Sequence, residues 1–167
     1  MKSFLKRALL VLVAAVTFAA VPFTVFAGEF DPTVPADGYV TYLDDGSYYV
    51  TVIEDCPDVG DPVNTAGSRS TVTKSKSTTY YNSSNTAQWK FTLKGTFTYD
   101  GSTSQCTGAS SSVTIYNTAW SVYSKTASHS GNQATGNVTM QRKVLGIVVE
   151  TKTRSLTLTC DKNGNVS

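Results

Sequence analysis

Apolar and polar side chains alternate most regularly between Trp89 and Tyr99. The odd positions of this segment carry Trp, Phe, Leu, Gly, Phe and Tyr, and the even positions carry Lys or Thr. A period of two is the pattern of a β-strand with one face buried and the other in water. The segment therefore predicts a half-buried strand, and Asp100-Gly101 directly after it predicts a turn.

A β-hairpin is predicted nearer the N-terminus. Two runs rich in β-branched and aromatic residues, 38–43 and 48–53, flank the turn sequence Asp44-Asp45-Gly46-Ser47. The 71–80 run is polar and carries lysines, which indicates an edge strand because charge there discourages pairing with other chains. Further strands are predicted over 112–116, 118–127, 134–142 and 144–160, with a tight polar loop at 128–132.

These strands define the fold class. After residue 27 no segment has the 3.6-residue period of an amphipathic helix, and short strands with frequent turns are typical of antiparallel sandwiches and barrels. We predict an all-β chain, an antiparallel β-sandwich (immunoglobulin-like or related), after an N-terminal signal-peptide helix. In the last strand Lys152 and Arg154 share the parity of Leu156 and Leu158, so we expect either a bulge or a strand that runs past the core.

The first 27 residues have the pattern of a signal peptide. Three basic residues precede an apolar run from Ala8 to Phe26, and Val25-Phe26-Ala27 places small residues where a signal peptidase cuts. The alternative is a membrane anchor, but Pro22 interrupts the run and favours cleavage. We expect a secreted mature protein that starts at Gly28 and has no integral membrane span. Its regions are a signal peptide (1–27), an acidic segment with the hairpin at 38–54 (28–69) and a β-sandwich domain (70–167).

Charge is divided unequally along the chain. The formal charge of residues 28–61 is −9 and that of residues 62–167 is +8. The first 27 residues add +3, so the whole chain carries +2. This asymmetry predicts either an acidic segment that docks on a basic domain or an acidic tail beside it. The basic residues expected to contact a polyanion, such as an anionic cell-envelope polymer, are Lys90, Lys94, Arg142, Lys143, Lys152 and Arg154. The alternative, which the sequence supports equally, is that these side chains do no more than keep the strand surfaces soluble.

Three cysteines are present in a chain expected to reach an oxidising compartment. Cys106 and Cys160 both lie in the strand-rich region, which predicts a disulfide between them and leaves Cys56 outside the pair. Together with Trp120 they are similar to the core of an immunoglobulin domain, in which a tryptophan packs on the inter-sheet disulfide. Leu158 departs from that pattern because a tyrosine belongs there.

Catalytic and metal-binding signals are weak. His129 is the single histidine and has no nucleophile motif beside it, and Cys56 lies between acidic residues that disfavour its thiolate. The acidic residues Glu54, Asp55, Asp58 and Asp61 lack the spacing of a calcium loop. We therefore expect no catalytic residue, metal or cofactor. Six tyrosines could stack on sugars or could simply suit half-buried strands: Tyr39, Tyr42, Tyr48, Tyr49, Tyr80 and Tyr81.

Over residues 88–165 the chain resembles short, Ser/Thr-rich secreted proteins of Gram-positive Firmicutes. The resemblance is carried by the signal peptide, the Trp89–Tyr99 strand with its Asp100-Gly101 turn, and the closing 156–160 strand with Asn163-Gly164. It implies a compartment and a fold class, and no mechanism.

The function predicted from these signals is that of a secreted, non-enzymatic protein. We expect it to bind an anionic envelope polymer or another extracellular protein, without nucleic acid as a partner. The alternatives are an exported effector, such as an inhibitor or antibacterial protein, and then a small hydrolase.

Overall fold

A computed structural model of the chain describes residues 38–56 and 69–167. The predicted signal peptide, its cleavage site and residues 28–37 lie outside these residues. Eight strands form: β1 Gly38–Tyr42, β2 Tyr48–Asp55, β3 Ser70–Tyr81, β4 Ala87–Tyr99, β5 Ser104–Ile115, β6 Trp120–Ser130, β7 Gln133–Val144 and β8 Ile147–Thr159. Within the described ranges there is no helix long and apolar enough to cross a membrane.

The strands form two antiparallel sheets, in agreement with the predicted all-β class. The first sheet has the order β1-β2-β3-β4-β5 and the second the order β6-β7-β8. β1 and β2 pair around the predicted turn, with Tyr42 opposite Tyr48. β2 in turn pairs with β3 along its whole length. The sheet therefore continues from the acidic segment into the strands that follow residue 69.

The predicted edge position of the 71–80 strand is wrong. β3 lies between β2 and β4 in the middle of the five-stranded sheet. Its two lysines have partners in this position, because Lys74 forms an ion pair with Asp55 at the end of β2 and Lys76 Nζ donates to Thr157 O. Its hydroxyl groups also pair across strands: Thr51 Oγ1 donates to Thr78 Oγ1 at 3.1 Å in a buried contact.

The apolar core lies between the two sheets, as in a β-sandwich. The predicted alternation in β4 is confirmed, because Trp89, Phe91, Leu93 and Phe97 are all fully buried. They meet apolar residues of the second sheet: Ala134, Val138, Met140, Leu156 and Leu158. Each such side chain removed from water contributes about 1.5–3 kcal/mol.

The inner face of β8 changes from apolar to charged along the strand. Buried Leu158 and Leu156 give way, at the same parity and toward the start of the strand, to half-buried Arg154, Lys152 and Glu150. The two expected explanations, a bulge at this point or a strand that runs past the core, do not describe β8, because its charged side chains pack on Tyr49 and Tyr80 of that core. Its charged end faces aromatic residues of the other sheet, since Arg154 lies 4.7 Å over the ring of Tyr49.

The connectivity differs from that of an immunoglobulin domain. In both sheets chain neighbours are also sheet neighbours, whereas the immunoglobulin fold interleaves strands between its sheets. Trp120 also does not pack on the cysteine pair. It begins β6, whereas the N–H of Cys106 bonds Gly131 O just beyond the other end of that strand, about 35 Å away at the rise of a strand.

The structure does not contain the predicted disulfide. Cys106 and Cys160 are free, buried thiols, and Cys56 is also free. The Sγ of Cys106 donates to Gly108 O and that of Cys160 to Asp161 O, both at 3.3 Å. Each thiol is therefore satisfied within its own segment rather than by the other sulfur.

Candidate functional site

A polar pocket of about 340 Å³ opens where the β1–β2 turn meets the end of β3 and the start of β8. The segments that line it are far apart in sequence, and the pairing of strands brings them to one end of the fold. The lining residues are Asp45, Ser47, Tyr80, Asn82, Ser83, Gln88, Asn117, Trp120, Arg142 and Glu150. This lining combines charged, amide, hydroxyl and aromatic side chains, which together can both donate and accept hydrogen bonds.

An aromatic cluster supports the pocket. Tyr80 contacts Trp89 and Trp120, with ring centroids 5.5 and 5.6 Å apart, and the two tryptophan rings lie 6.3 Å apart in an edge arrangement. Tyr49 packs on Tyr80 and Trp89 from the neighbouring strand. Such edge and tilted contacts are favoured geometries for aromatic rings, so the cluster makes a rigid base.

Gln88 fixes Trp120 at the pocket wall. The buried amide oxygen of Gln88 accepts hydrogen bonds from Asn117 Nδ2 at 2.7 Å and from Trp120 Nε1 at 3.3 Å. Its Nε2 donates to Thr86 O at 2.8 Å. Its backbone carbonyl accepts from the N–H groups of Tyr116 and Asn117. These hydrogen bonds fix the orientation of the Trp120 indole at the pocket wall.

Four charged side chains form a continuous network at the pocket. Lys152 Nζ lies 3.2 Å from Asp45 Oδ2 and 3.3 Å from Glu150 Oε1. Arg142 Nε donates to Glu150 Oε2 at 2.9 Å. Tyr80 OH donates to Glu150 Oε1 at 3.3 Å. Two cations thus face two carboxylates, and the network carries no net charge.

The protonation states of these groups follow from their contacts. The hydroxyl and backbone N–H of Ser47, with a smaller effect of Lys152, lower the pKa of Asp45 to about 2. Burial lowers the pKa of Lys152, but its hydrogen bonds to Asp45 and Glu150 outweigh burial and leave the pKa raised. Burial raises the pKa of Tyr49 to about 12 and also raises that of Tyr80. At neutral pH Asp45 and Lys152 are therefore ionised, and both tyrosines are neutral.

The six basic residues predicted to contact a polyanion are not brought together. Lys90 and Lys94 alternate with buried residues of β4 and project from the opposite face of that strand, where Lys90 lies 3.8 Å from Glu54. Arg142, Lys152 and Arg154 lie on the inner side of the second sheet, against carboxylates and aromatic rings. Lys143 is exposed near the end of β7.

The other candidates from the sequence lie elsewhere. His129 is exposed at the far end of β6 from Trp120. Glu54 and Asp55 form ion pairs with lysines, whereas Asp58 and Asp61 lie outside the described residues. Across 38–56 and 69–167, no group of three or more His, Cys, Asp or Glu side chains could hold a metal ion.

The six candidate tyrosines separate into different environments. Tyr49 and Tyr80 belong to the buried aromatic cluster. Tyr48 stacks on Tyr81, with ring centroids 4.9 Å apart, and Tyr42 packs on Tyr48. Tyr39 is half exposed on β1. Of the six, Tyr80 alone is a lining residue of the pocket.

Sequence reasoning missed most of the pocket. Asp45, Ser47, Gln88 and Asn117 belong to a turn, a strand start and a loop, and no spacing in the chain connects them. Glu150 did leave a signal: it is one of few acidic residues after residue 61 and shares the parity of Lys152 and Arg154. That pattern indicates a charge-paired strand end rather than a basic surface.

Together these features define a two-sheet, antiparallel all-β protein with a charge-balanced pocket at one end. The chain matches no family model, no curated protein and no solved structure.

Proposed function

We propose that the protein is a secreted, non-catalytic binding protein that holds an uncharged polar ligand, such as a sugar unit of an extracellular glycan, in the pocket at the β1–β2 turn. The observation that carries the proposal is the charge-balanced network of Asp45, Lys152, Glu150 and Arg142 beside an aromatic base.

The lining suits a ligand rich in hydroxyl groups. Each hydroxyl both donates and accepts hydrogen bonds, and the pocket offers carboxylate acceptors beside guanidinium and amide donors. Arg142 meets Glu150 through Nε, and its guanidinium has further N–H groups to offer. The volume of about 340 Å³ is at the lower end of the range for small-molecule sites, roughly 300–1,000 Å³.

The same network favours an uncharged ligand over an anionic polymer. Lys152 and Arg142 are already neutralised by carboxylates, so a polyanion would have to displace these partners. The proposal that the protein is not an enzyme is supported by Asp45, whose pKa of about 2 makes it a poor proton donor at neutral pH. His129, the residue usually suited to proton transfer, lies far along β6.

Secretion is supported by the charged start, apolar run and small-residue site of residues 1–27. Export also bears on the cysteines, because we propose that Cys106 and Cys160 become oxidised to a disulfide in an oxidising compartment. Their segments approach each other at one turn: the N–H groups of Cys106 and Cys160 bond Gly131 O and Asn132 O.

An array of neutral and acidic oligosaccharides tests the proposed function. We expect the protein to bind neutral glycans, and binding should persist in high salt because it does not rest on long-range charge. Arg142→Gln should weaken it by about 10–100-fold, the effect of losing a hydrogen bond to a charged group. Lys94→Gln on the outer face is the matched control. Binding to acidic glycans alone, lost in high salt, would contradict the proposal.

A further inference from the structure

The tip of the β7–β8 hairpin is apolar and exposed to water. Leu145 is 98% exposed and Ile147 69% exposed, and Val144, Val148 and Val149 are between 44% and 50% exposed. With Gly146 they form an uninterrupted apolar segment. A contiguous cluster of apolar side chains exposed to water marks an interaction site more often than single, scattered apolar residues do.

The turn itself departs from the usual residue preferences. Leu145 has a φ of 50° and Gly146 a φ of 82°. Two positive φ values at the centre of a two-residue hairpin are typical of a type I′ turn, where Asn-Gly is preferred. A branched, apolar side chain is unusual at such a position. Because Leu145 is exposed to water, its side chain makes no packing contact that would offset the backbone strain. Leu145 therefore points to a requirement other than folding.

Apolar groups cover both sides of the hairpin. Successive residues of a strand project to opposite faces, and Ile147, Val148 and Val149 are consecutive and all at least 44% exposed. A fluid apolar medium can contact both faces of such a tip at once.

The hairpin keeps part of its own backbone hydrogen-bonded. Val144 lies opposite Ile147 and Lys143 opposite Val148, and a register shift at Arg142/Lys143 leaves Val149 without an opposite residue on β7. The inward-facing backbone groups are therefore paired within the hairpin, whereas the outward-facing groups need water or headgroups, which limits entry to the interfacial layer. From Lys143 to the turn the tip extends roughly 7–10 Å at the rise of a strand. This length fits the depth of about 5–10 Å to which interfacial segments enter a bilayer.

From these observations we infer that the β7–β8 tip, residues 144–149, inserts into the interfacial layer of a lipid bilayer. Exposed Lys143 at its base meets the headgroups, and anionic lipids strengthen the contact. Insertion would bring the neighbouring pocket, which Arg142 and Glu150 line, close to the membrane surface. The inference does not depend on the ligand of that pocket.

Vesicle sedimentation tests the inference. The full chain is expressed in an exporting host and the protein is purified from the medium. It is then mixed with vesicles of phosphatidylcholine alone or with phosphatidylglycerol. We expect binding to both, stronger with phosphatidylglycerol. Leu145→Asn with Ile147→Thr should lower the partition coefficient at least about tenfold, since two apolar side chains lose their burial. Asn suits a positive φ, so this variant should remain folded.

Tyr123→Ser provides the matched control, because Tyr123 is 70% exposed on β6 and outside the hairpin. It should leave vesicle binding unchanged. Equal partitioning of the wild type and the double variant would overturn the inference, as would failure of the wild type to bind either vesicle. Self-association without lipid that the double variant abolishes would assign the tip to a second copy of the chain instead.

Discussion

Lys152 shows how single residues of this protein acquire roles that composition does not reveal. Its position among the basic residues of the second half predicted a surface contact with a polyanion. In the fold it bridges Glu150, two positions away, and Asp45, 107 residues away in sequence. Alternation along β8 puts Lys152 on the same face as Leu156 and Leu158, so its inward position could be predicted from the sequence. Its ion pair with Asp45 could not, because that contact depends on how the sheets pack.

The pH dependence of stability should report on Asp45. Its pKa of about 2 in the folded protein lies below the ordinary value of 3.8, so its ionised form stabilises the fold. That contribution is complete above about pH 4 and is lost as the pH falls through about 2. Because Asp45 is largely exposed, we expect at most about 1 kcal/mol.

Urea unfolding of the wild type and Asp45→Asn provides the measurement. The wild type should be more stable near neutral pH, and the difference in free energy of unfolding should shrink toward pH 2. Glu54→Gln, at a carboxylate outside the pocket, is the comparison variant. A difference between wild type and Asp45→Asn that stays constant with pH would show that Asp45 is not held in its ionised form.

Leu145 makes a second prediction at the residue scale. A positive φ costs a non-glycine residue about 1–2 kcal/mol, less for asparagine. Leu145→Asn should therefore raise the free energy of unfolding by up to about 1 kcal/mol, measured by thermal or urea unfolding. Leu145→Ala removes the same exposed side chain but keeps the backbone cost, and should give no such gain. Equal stabilities of the two variants would argue against strain at this turn.

At the scale of elements, the alternation of apolar and polar residues predicted where strands form better than it predicted the place of each strand in its sheet. The Trp89–Tyr99 strand and the first hairpin follow from the period of two and the turn residues between the runs. The central position of β3 did not, because its polar sequence resembles an edge until the partners of Lys74 and Lys76 are known. Sheet order depends on which strands pair, and side-chain pattern within one strand carries little of that information.

The close contact between β4 and β7 depends on Gly136. A Cβ atom there would lie 3.0 Å from Leu93 Cδ1 and 3.1 Å from Phe91 Cζ. Gly136→Ala should therefore destabilise the protein by about 1–3 kcal/mol, the usual effect of overpacking a core. At Gly108 on β5 an added Cβ would meet nothing within 4 Å, so Gly108→Ala should stabilise the protein by about 0.4–1 kcal/mol, because the unfolded chain loses conformational entropy. Urea unfolding of both variants distinguishes them, and equal effects would contradict this packing account.

At the scale of the whole molecule, the segments of two buried thiols meet although they are distant in sequence. Cys106 lies near the start of β5 and Cys160 directly follows β8. The backbone N–H groups of both residues donate to carbonyls of the Gly131-Asn132 turn. Burial raises the pKa of both thiols, and the nearby Cys106 contributes to the shift at Cys160. Their location in the strand-rich region predicted a disulfide between Cys106 and Cys160, whereas the structure holds both as free thiols.

Oxidised glutathione should convert the pair to a disulfide and release two equivalents of reduced glutathione. Constraint of the unfolded chain would then raise the free energy of unfolding by up to about 4 kcal/mol. Cys56→Ser should oxidise as the wild type does, and peptide mapping without reduction should find Cys106 joined to Cys160. A bridge that includes Cys56, or no gain in stability, would contradict the prediction.

The central claim is that the pocket beside Trp120 binds an uncharged, hydroxyl-rich ligand, and tryptophan fluorescence tests it most directly. The chain has two tryptophans. Trp120 lines the pocket, and the ring of Trp89 packs on that of Trp120. Titration with a neutral glycan that binds on the array should give a saturable change in emission. Arg142→Gln should weaken the apparent affinity by about 10–100-fold, and Lys94→Gln should leave it unchanged. An affinity that Arg142→Gln does not alter, or emission that does not respond, would contradict the account.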